Sequence, residues 1–399
     1  MRTKPYDGYQ SYQYLEAGAD YKPFKLAREI GRVPAFEVSV SREQGERVDR
    51  IFDQALVVSL HDHPFIVPEN VSEIFEYRRQ GRDWTGYEGL AHSGLDAIFD
   101  NFMDGTAMIT SQAGWKWTDI LHDLGMRYSD LAHQKLVFRA ETVDDLLRAK
   151  QTGRIALVPS LEAATPIENE IDRIDVLYGF GVRMMGIAYS EANALGAGLK
   201  EKRDGGLTDF GRKAVRRMNR IGMAIDVSHS GDQTSLDTIE ASEKPIFITH
   251  VGARTLWNTP RMKPDAVLMA CAAKGGVIGI EAAPHTTLTE KHNRHSIESF
   301  MEHFEYVAGL VGIDHVAFGP DTLFGDHVGL HDVFAAALSI ASAHGGVKFE
   351  KVEYVKGIEN PAEGFPNVVR WLVSHGYSDG DIAKTLGGNI LRVLREVWA

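Results

Sequence analysis

Five short apolar runs of this chain each lead into a residue able to bind a metal. Val57-Val58-Ser59-Leu60 leads into His61-Asp62-His63, and Ala156 to Leu161 into Glu162. Ala224 to Ser228 leads into His229, Pro245 to Thr249 into His250, and His315 to Pro320 into Asp321. Ligands carried at one end of successive strands converge only if those ends converge. A closed barrel of parallel strands does this, because its functional side chains gather at the C-terminal mouth.

The rest of the pattern agrees. Candidate strands are Ala55–Leu60, Thr106–Thr110, Ile155–Leu161, Arg183–Ala188, Met223–Ser228, Pro245–Thr249, Gly276–Ile280 and Val316–Gly319. Helical spacing of apolar residues marks Arg42–Ala55, Thr208–Gly222, Pro264–Lys274 and Ile297–Val311. Apolar strands alternating with helices predict a parallel sheet covered on both faces. Eight such units predict an α/β fold of the (β/α)8 TIM-barrel type. An open doubly wound sheet competes, but it usually draws ligands from two or three strands rather than five. Residues 1–50 are expected to form an N-terminal extension packing on the barrel, and residues 51–399 the barrel itself. Ile66 to Asn101 and Leu323 to Val355 are expected as long insertions that shape the mouth.

Composition excludes several classes. A net charge of −12 argues against nucleic acid and anionic membrane as partners. The single cysteine, Cys271, allows neither an internal disulfide nor a cysteine zinc site, and its apolar context predicts a packing role on a buried helix face. Met1 to Asp20 is polar, without the apolar core of a secretory signal, and no apolar run is long enough to span a membrane. A cytoplasmic protein is the expectation.

His61 and His63 are two residues apart, so at strand period both point to one side and Asp62 to the other. Such a pair is weak evidence alone in a chain with 16 histidines. Glu162, after an apolar run, is either an ion-paired rim carboxylate or a ligand shared by two cations. His229 and His250 stand one strand-to-strand step apart, which offers two imidazoles side by side. This nitrogen and oxygen set suits zinc, with manganese, cobalt and ferrous iron also open. Asp321 is either a loop cap or the group that takes a proton from an attacking water and hands it to the leaving amine. Trp115 and Trp117 either wall the pocket or pack. His285 and His327 are candidates to support the site from behind, and the remaining histidines are assigned to the surface.

The pattern resembles the membrane (renal) dipeptidases of the amidohydrolase superfamily over roughly Ala55 to Trp398. The resemblance rests on Gly211 to Ser230, Ile248-Thr249-His250 with Arg254, and Arg261 to Asp265. It continues through Gly275 to Gly279, Val316 to Asp321, and Gly387-Gly388-Asn389 with Arg392. It implies a (β/α)8 barrel with two zinc ions that hydrolyses dipeptides, and a homodimer. By position, Glu162 would bridge the metals, His61 and His63 would serve the first and His229 and His250 the second. Asp321 would shuttle protons. Arg261, which alone reads as a surface arginine, would pair with the substrate's C-terminal carboxylate. Two positions depart from the family: His63 stands where an Asp is usual, and Tyr189 where a histidine faces the tetrahedral intermediate. The phenol of Tyr189 keeps a hydrogen-bond donor there. Those departures keep a second activity open, hydrolysis of a small non-peptide amide such as an N-acyl or N-methylated amino acid. A barrel that only binds a ligand is the non-enzymatic alternative.

Overall fold

A computed structural model describes residues 3–102, 116–337 and 348–398. Eight parallel strands follow one another around the sheet: β1 (Val58–Asp62), β2 (Ala97–Asn101), β3 (Ile155–Leu161), β4 (Met184–Gly186), β5 (Ala224–Asp226), β6 (Phe247–Val251), β7 (Val277–Ile280) and β8 (Val316–Phe318). The ring closes by backbone contacts just past the strands. Asp321 N donates to His61 O at 3.0 Å, His63 N donates to Thr322 O at 3.0 Å, and His63 bridges Leu323. Asp62 points away from its histidine neighbours, as strand period predicts. It accepts from Thr322 N at 2.6 Å and Thr322 Oγ1 at 2.7 Å, fastening the first strand to the last.

The TIM-type barrel read from the sequence is therefore present, with a strand at Ala97–Asn101 that the sequence reading did not mark. Among the described residues the second strand is Ala97–Asn101, and the expected strand Thr106–Thr110 lies outside them. The insertion after β1 accordingly ends before Ala97, and holds a two-stranded ribbon (Phe65–Ile66 with Trp84–Thr85) and two short helices. A further short strand, Val137–Arg139, pairs with the first half of β3, while β4 pairs with its last two residues.

Helices form where their sequence cues lie. Ser41 and Gln44 make a capping box on Arg42–Gln54. Thr208 caps Asp209–Ile221, which ends at Gly222 in the left-handed region. Alternate residues of the strands enter separate apolar clusters: Val58, Leu60, Phe99 and Val158 in one, Ile98 and Leu157 in another. Cys271 is fully buried on Asp265–Ala273, as its context predicts. At the opposite end from the ligands, Asn389 Nδ2 donates at 2.8 Å to the carbonyls of Ile313 and Val316, and Arg392 Nη1 donates to Gly275 O at 2.7 Å. The closing Gly-Gly-Asn motif thus ties the C-terminal helix to the segments that start β7 and β8.

Two details of the sheet aim the mouth. β1 carries one extra residue against β2 between Ser59 and Asp62, and β6 one extra against β7 between Ile248 and Val251. Each extra residue lies in the stretch that holds a histidine, His61 or His250. A bulge bends the strand and re-aims its side chains, which suits a strand end that must present a ligand. Gly186 lets β4 approach closely: a Cβ there would stand 1.8 Å from Glu162 O.

Candidate metal centre

His61, Glu162, His250 and Asp321 are buried and offer ligand atoms that all lie within 4.8 Å of one another. Glu162 Oε1 is the common neighbour, 3.3 Å from His229 Nε2 and 3.5 Å from both His61 Nε2 and His250 Nε2. Asp321 Oδ1 is 3.0 Å from His63 Nε2 and 3.5 Å from His61 Nε2. The two pairs are tight, with Nε2 atoms 2.9 Å apart for His229 and His250 and 3.3 Å apart for His61 and His63. All six predicted ligand or proton-carrying side chains therefore meet at the mouth, in two imidazole pairs with Glu162 between them.

The surrounding hydrogen bonds orient these rings toward the cluster. Thr249 Oγ1 donates to Asp226 Oδ2 at 2.7 Å, so its oxygen accepts from His250 Nδ1 at 2.8 Å. That leaves a lone pair on His250 Nε2, directed into the cluster. His63 Nδ1 donates to Asn101 O at 3.2 Å, with the same result for His63 Nε2. The Asn101 amide lies 2.8 Å from His61 Nδ1. Asp226 is itself held by Ser228 N, Ser228 Oγ and Thr249 N, so a rigid network behind the rings fixes their orientation. Replacing Thr249 by Val should strand the His250 Nδ1–H and weaken metal affinity about 10- to 100-fold without unfolding the barrel. Competition against a chelating dye measures this, and an affinity within about twofold of the parent protein would refute the assignment.

Charge points the same way. Burial, helped by the Arg261 charge, pushes His229 down to about 4. Burial, with the charge of His61, holds His250 well below the ordinary histidine range. Both rings are neutral at pH 7 and available to a cation. Burial would lower His61 too, but its hydrogen bonds to Asp321 and Glu162 outweigh burial and raise it to about 9. Burial favours the neutral forms of Glu162 and Asp321, yet hydrogen bonds from the imidazoles hold both well below the usual carboxylate range. Two buried anions facing four imidazoles fit one or more divalent cations, and His229 Nδ1 is buried without a hydrogen-bond partner. A cation would compete with the His61 proton.

Asp321 stands at φ +59°, a left-handed conformation rare for a residue other than glycine. Such strain is retained where surrounding structure fixes it, often at a functional site. The Tyr189 ring stacks on His229, with centroids 4.1 Å apart and planes at 21°. Arg261 is not a surface residue. It is 2% exposed, forms an ion pair with Glu281 through Nη2 and Oε2, and sets Nη1 and Nη2 3.4 Å from His250 O. Of the two supporting histidines, His327 is buried with Nε2 3.3 Å from Ala282 O, and His285 Nε2 accepts from Val352 N at 3.1 Å. Trp117 starts Trp117–Leu131, with the Arg173 guanidinium 4.9 Å over its ring, while Trp115 lies outside the described residues.

Sequence reasoning missed Glu281, which follows β7 as Glu162 follows β3. It also missed His331, whose buried Nε2 lacks a hydrogen-bond partner and whose charged neighbours include Asp321 and His63. The assignment of the remaining histidines to the surface fails for His295 and His303 as well. Both are buried, because backbone or hydroxyl groups satisfy their ring nitrogens.

The family model described as membrane dipeptidase (peptidase family M19) matches residues 118–342. The dipeptidase tcpJ of Claviceps purpurea is 27% identical over 301 residues, which cover 75% of this chain and 63% of that protein. The dipeptidase verJ of Clonostachys rogersoniana is 28% identical over 281 residues, 70% of this chain and again 63% of the relative. The match thus spans about 63% of the length of each of these relatives. Among solved structures, an amidohydrolase from Pseudomonas aeruginosa superposes with a TM-score of 0.72 at 26% identity, covering 88% of this chain and 99% of that one. The probable dipeptidase PvdM from the same organism, at 20% identity, shares the fold with a TM-score of 0.70 over 90% of this chain and 99% of its own. No helix among the described residues is long and apolar enough to cross a membrane.

Proposed function

Because the chain belongs to the membrane dipeptidase family (peptidase family M19), we propose that it is a dipeptidase using two divalent ions, zinc foremost, to hydrolyse the amide bond of a dipeptide or dipeptide-like substrate. The observation that carries this reading is Glu162 Oε1, set within 3.5 Å of three imidazole nitrogens from three different strands. His61 and His63 would hold one ion, His229 and His250 the other, and Glu162 would be shared. Held there, a metal pair would supply a Lewis acid for the carbonyl and would lower the pKa of a water toward neutrality. Asp321 would take a proton from the attacking water and deliver it to the leaving amine. Tyr189 donates its phenolic hydrogen to the developing oxyanion. Arg261 completes the set as a substrate-binding residue.

Asp321 is suited to the proton transfer because it sits at the junction of β1 and β8, held by its own backbone bond to His61 O. Burial of the whole constellation strengthens each of these electrostatic contacts relative to water. The Arg261–Glu281 pair favours, as a second reading, amidohydrolase activity toward a small non-peptide amide that lacks a free carboxylate, since part of the charge expected to meet a carboxylate is already matched.

A panel of L,L and L,D dipeptides offered to zinc-loaded protein tests the proposal. Turnover should disappear with a chelator and return with added metal. Turnover of a carboxylate-free amide such as a lactam, with none of any dipeptide, would replace the first reading by the second.

A further inference from the structure

We propose that Glu281 acts as an internal cap on Arg261 and thereby sets the substrate class: the subsite beside Arg261 takes a neutral hydrogen-bonding group, such as a carboxamide, in preference to a free carboxylate. This inference rests on the reading of the site as an amide hydrolase with Arg261 in substrate binding.

Both partners of the pair are buried, Arg261 at 2% exposure and Glu281 at 0%. Arg261 Nη2 is joined to Glu281 Oε2, and Nη1 and Nη2 both reach toward His250 O. The fork that would clamp a carboxylate with two parallel bonds is thus already engaged within the chain. Glu281 is fixed as firmly. It follows β7 directly, its amide donates to Val251 O at 3.1 Å, and this places it beside the β6 end that carries His250. Asp321 and His61, both at the mouth, are among its electrostatic neighbours.

The other carboxylate oxygen, Glu281 Oε1, is buried without a hydrogen-bond partner. The nearby Thr286 hydroxyl is spent on Ala283 O at 2.6 Å. A buried acceptor lacking a donor is costly, and a ligand that brings an N–H or O–H relieves that cost. A second carboxylate brings no donor and adds a like charge. The buried pair is therefore nearly neutral and leaves Glu281 Oε1 short of a donor, which matches an amide and disfavours an acid. Removing the negative charge while keeping the side-chain shape should reverse this choice, because it leaves a buried guanidinium with no anion.

Alanyl-alanine and alanyl-alaninamide differ only at the group in question. Their binding to zinc-loaded protein is measured by calorimetry at pH 8.5, above the value of about 7 to which burial raises Glu281. Hydrolysis of both is followed in parallel. The parent protein should bind the amide at least about tenfold more tightly than the acid, and Glu281→Gln should shift the ratio toward the acid by about 100-fold, the order of one like charge in a partly buried site. Glu281→Asp, which keeps the charge, should keep the preference for the amide. Tighter binding of the acid by the parent protein overturns the proposal, as does an unchanged ratio in a folded Glu281→Gln protein, or binding of neither compound. Binding with the expected preference but hydrolysis of neither would leave the cap standing and sink the dipeptidase reading instead.

Discussion

Glu162→Gln should leave the protein folded but unable to hold its metal, with kcat/KM lowered by at least about 10³. The effect is electrostatic. Glutamine keeps the length, the planar end and an acceptor oxygen, so the packing beside Gly186 survives. It loses the negative charge, and the remaining pocket offers four imidazoles and a single carboxylate, Asp321. One unit charge at about 4 Å in a partly buried site is worth about 4 kcal/mol, close to a thousandfold in affinity. Glu162 lies within 3.5 Å of rings from both imidazole pairs, so its loss should be felt by ions held at either pair. Metal content by mass spectrometry after dialysis and kcat/KM on the best dipeptide measure the two halves. A variant that retained stoichiometric metal and lost only a few-fold in rate would remove Glu162 from the ligand set.

The parts of this site that the sequence makes legible share one property: each ligand follows an apolar run, so strand and side chain announce each other. His61, Glu162, His229, His250 and Asp321 are all of this kind. β2 is harder to see. Its last two residues, Asp100 and Asn101, are polar, and what makes them tolerable in a buried strand comes from elsewhere in the fold. The Arg127 guanidinium, from Trp117–Leu131, stands 3.5 Å from Asp100, and Asn101 serves His61 and His63. Neither partnership is visible in a short window of sequence.

Arg261 shows the same limit from the other side. An arginine in a loop with a proline and a lysine reads as solvated, and only the resemblance to a family assigns it a role. Its burial depends on Glu281, which lies twenty residues later but beside it in space. Glu281 itself was within reach, because Val277–Ile280 is an apolar run ending in a carboxylate, like Ile155–Leu161 before Glu162. His331 also left a trace. It stands one helical turn after His327, and their ring centroids are 4.8 Å apart, so the pair shares one helix face. Position within the barrel, more than residue type, separates these functional groups from ordinary polar residues.

Asp321→Asn should lower kcat by about 10² to 10⁴, the usual range for loss of a positioned acid–base group, while metal content stays near that of the parent protein. Asparagine is the informative replacement because Asp321 sits at φ +59°, where asparagine is among the few side chains that fit without added strain. The backbone bond from residue 321 to His61 O, and with it the closure of the barrel, should therefore survive. What disappears is an oxygen that can take up a proton and release it. The same side chain lies within 4.8 Å of His61, Glu162 and His250, close enough to serve as a ligand instead. Rate and metal content separate the two roles. A fall in rate with the metal retained marks Asp321 as the proton carrier, whereas loss of metal in step with Glu162→Gln would place it among the ligands and shift the search for the proton carrier to His331, whose buried Nε2 has no hydrogen-bond partner.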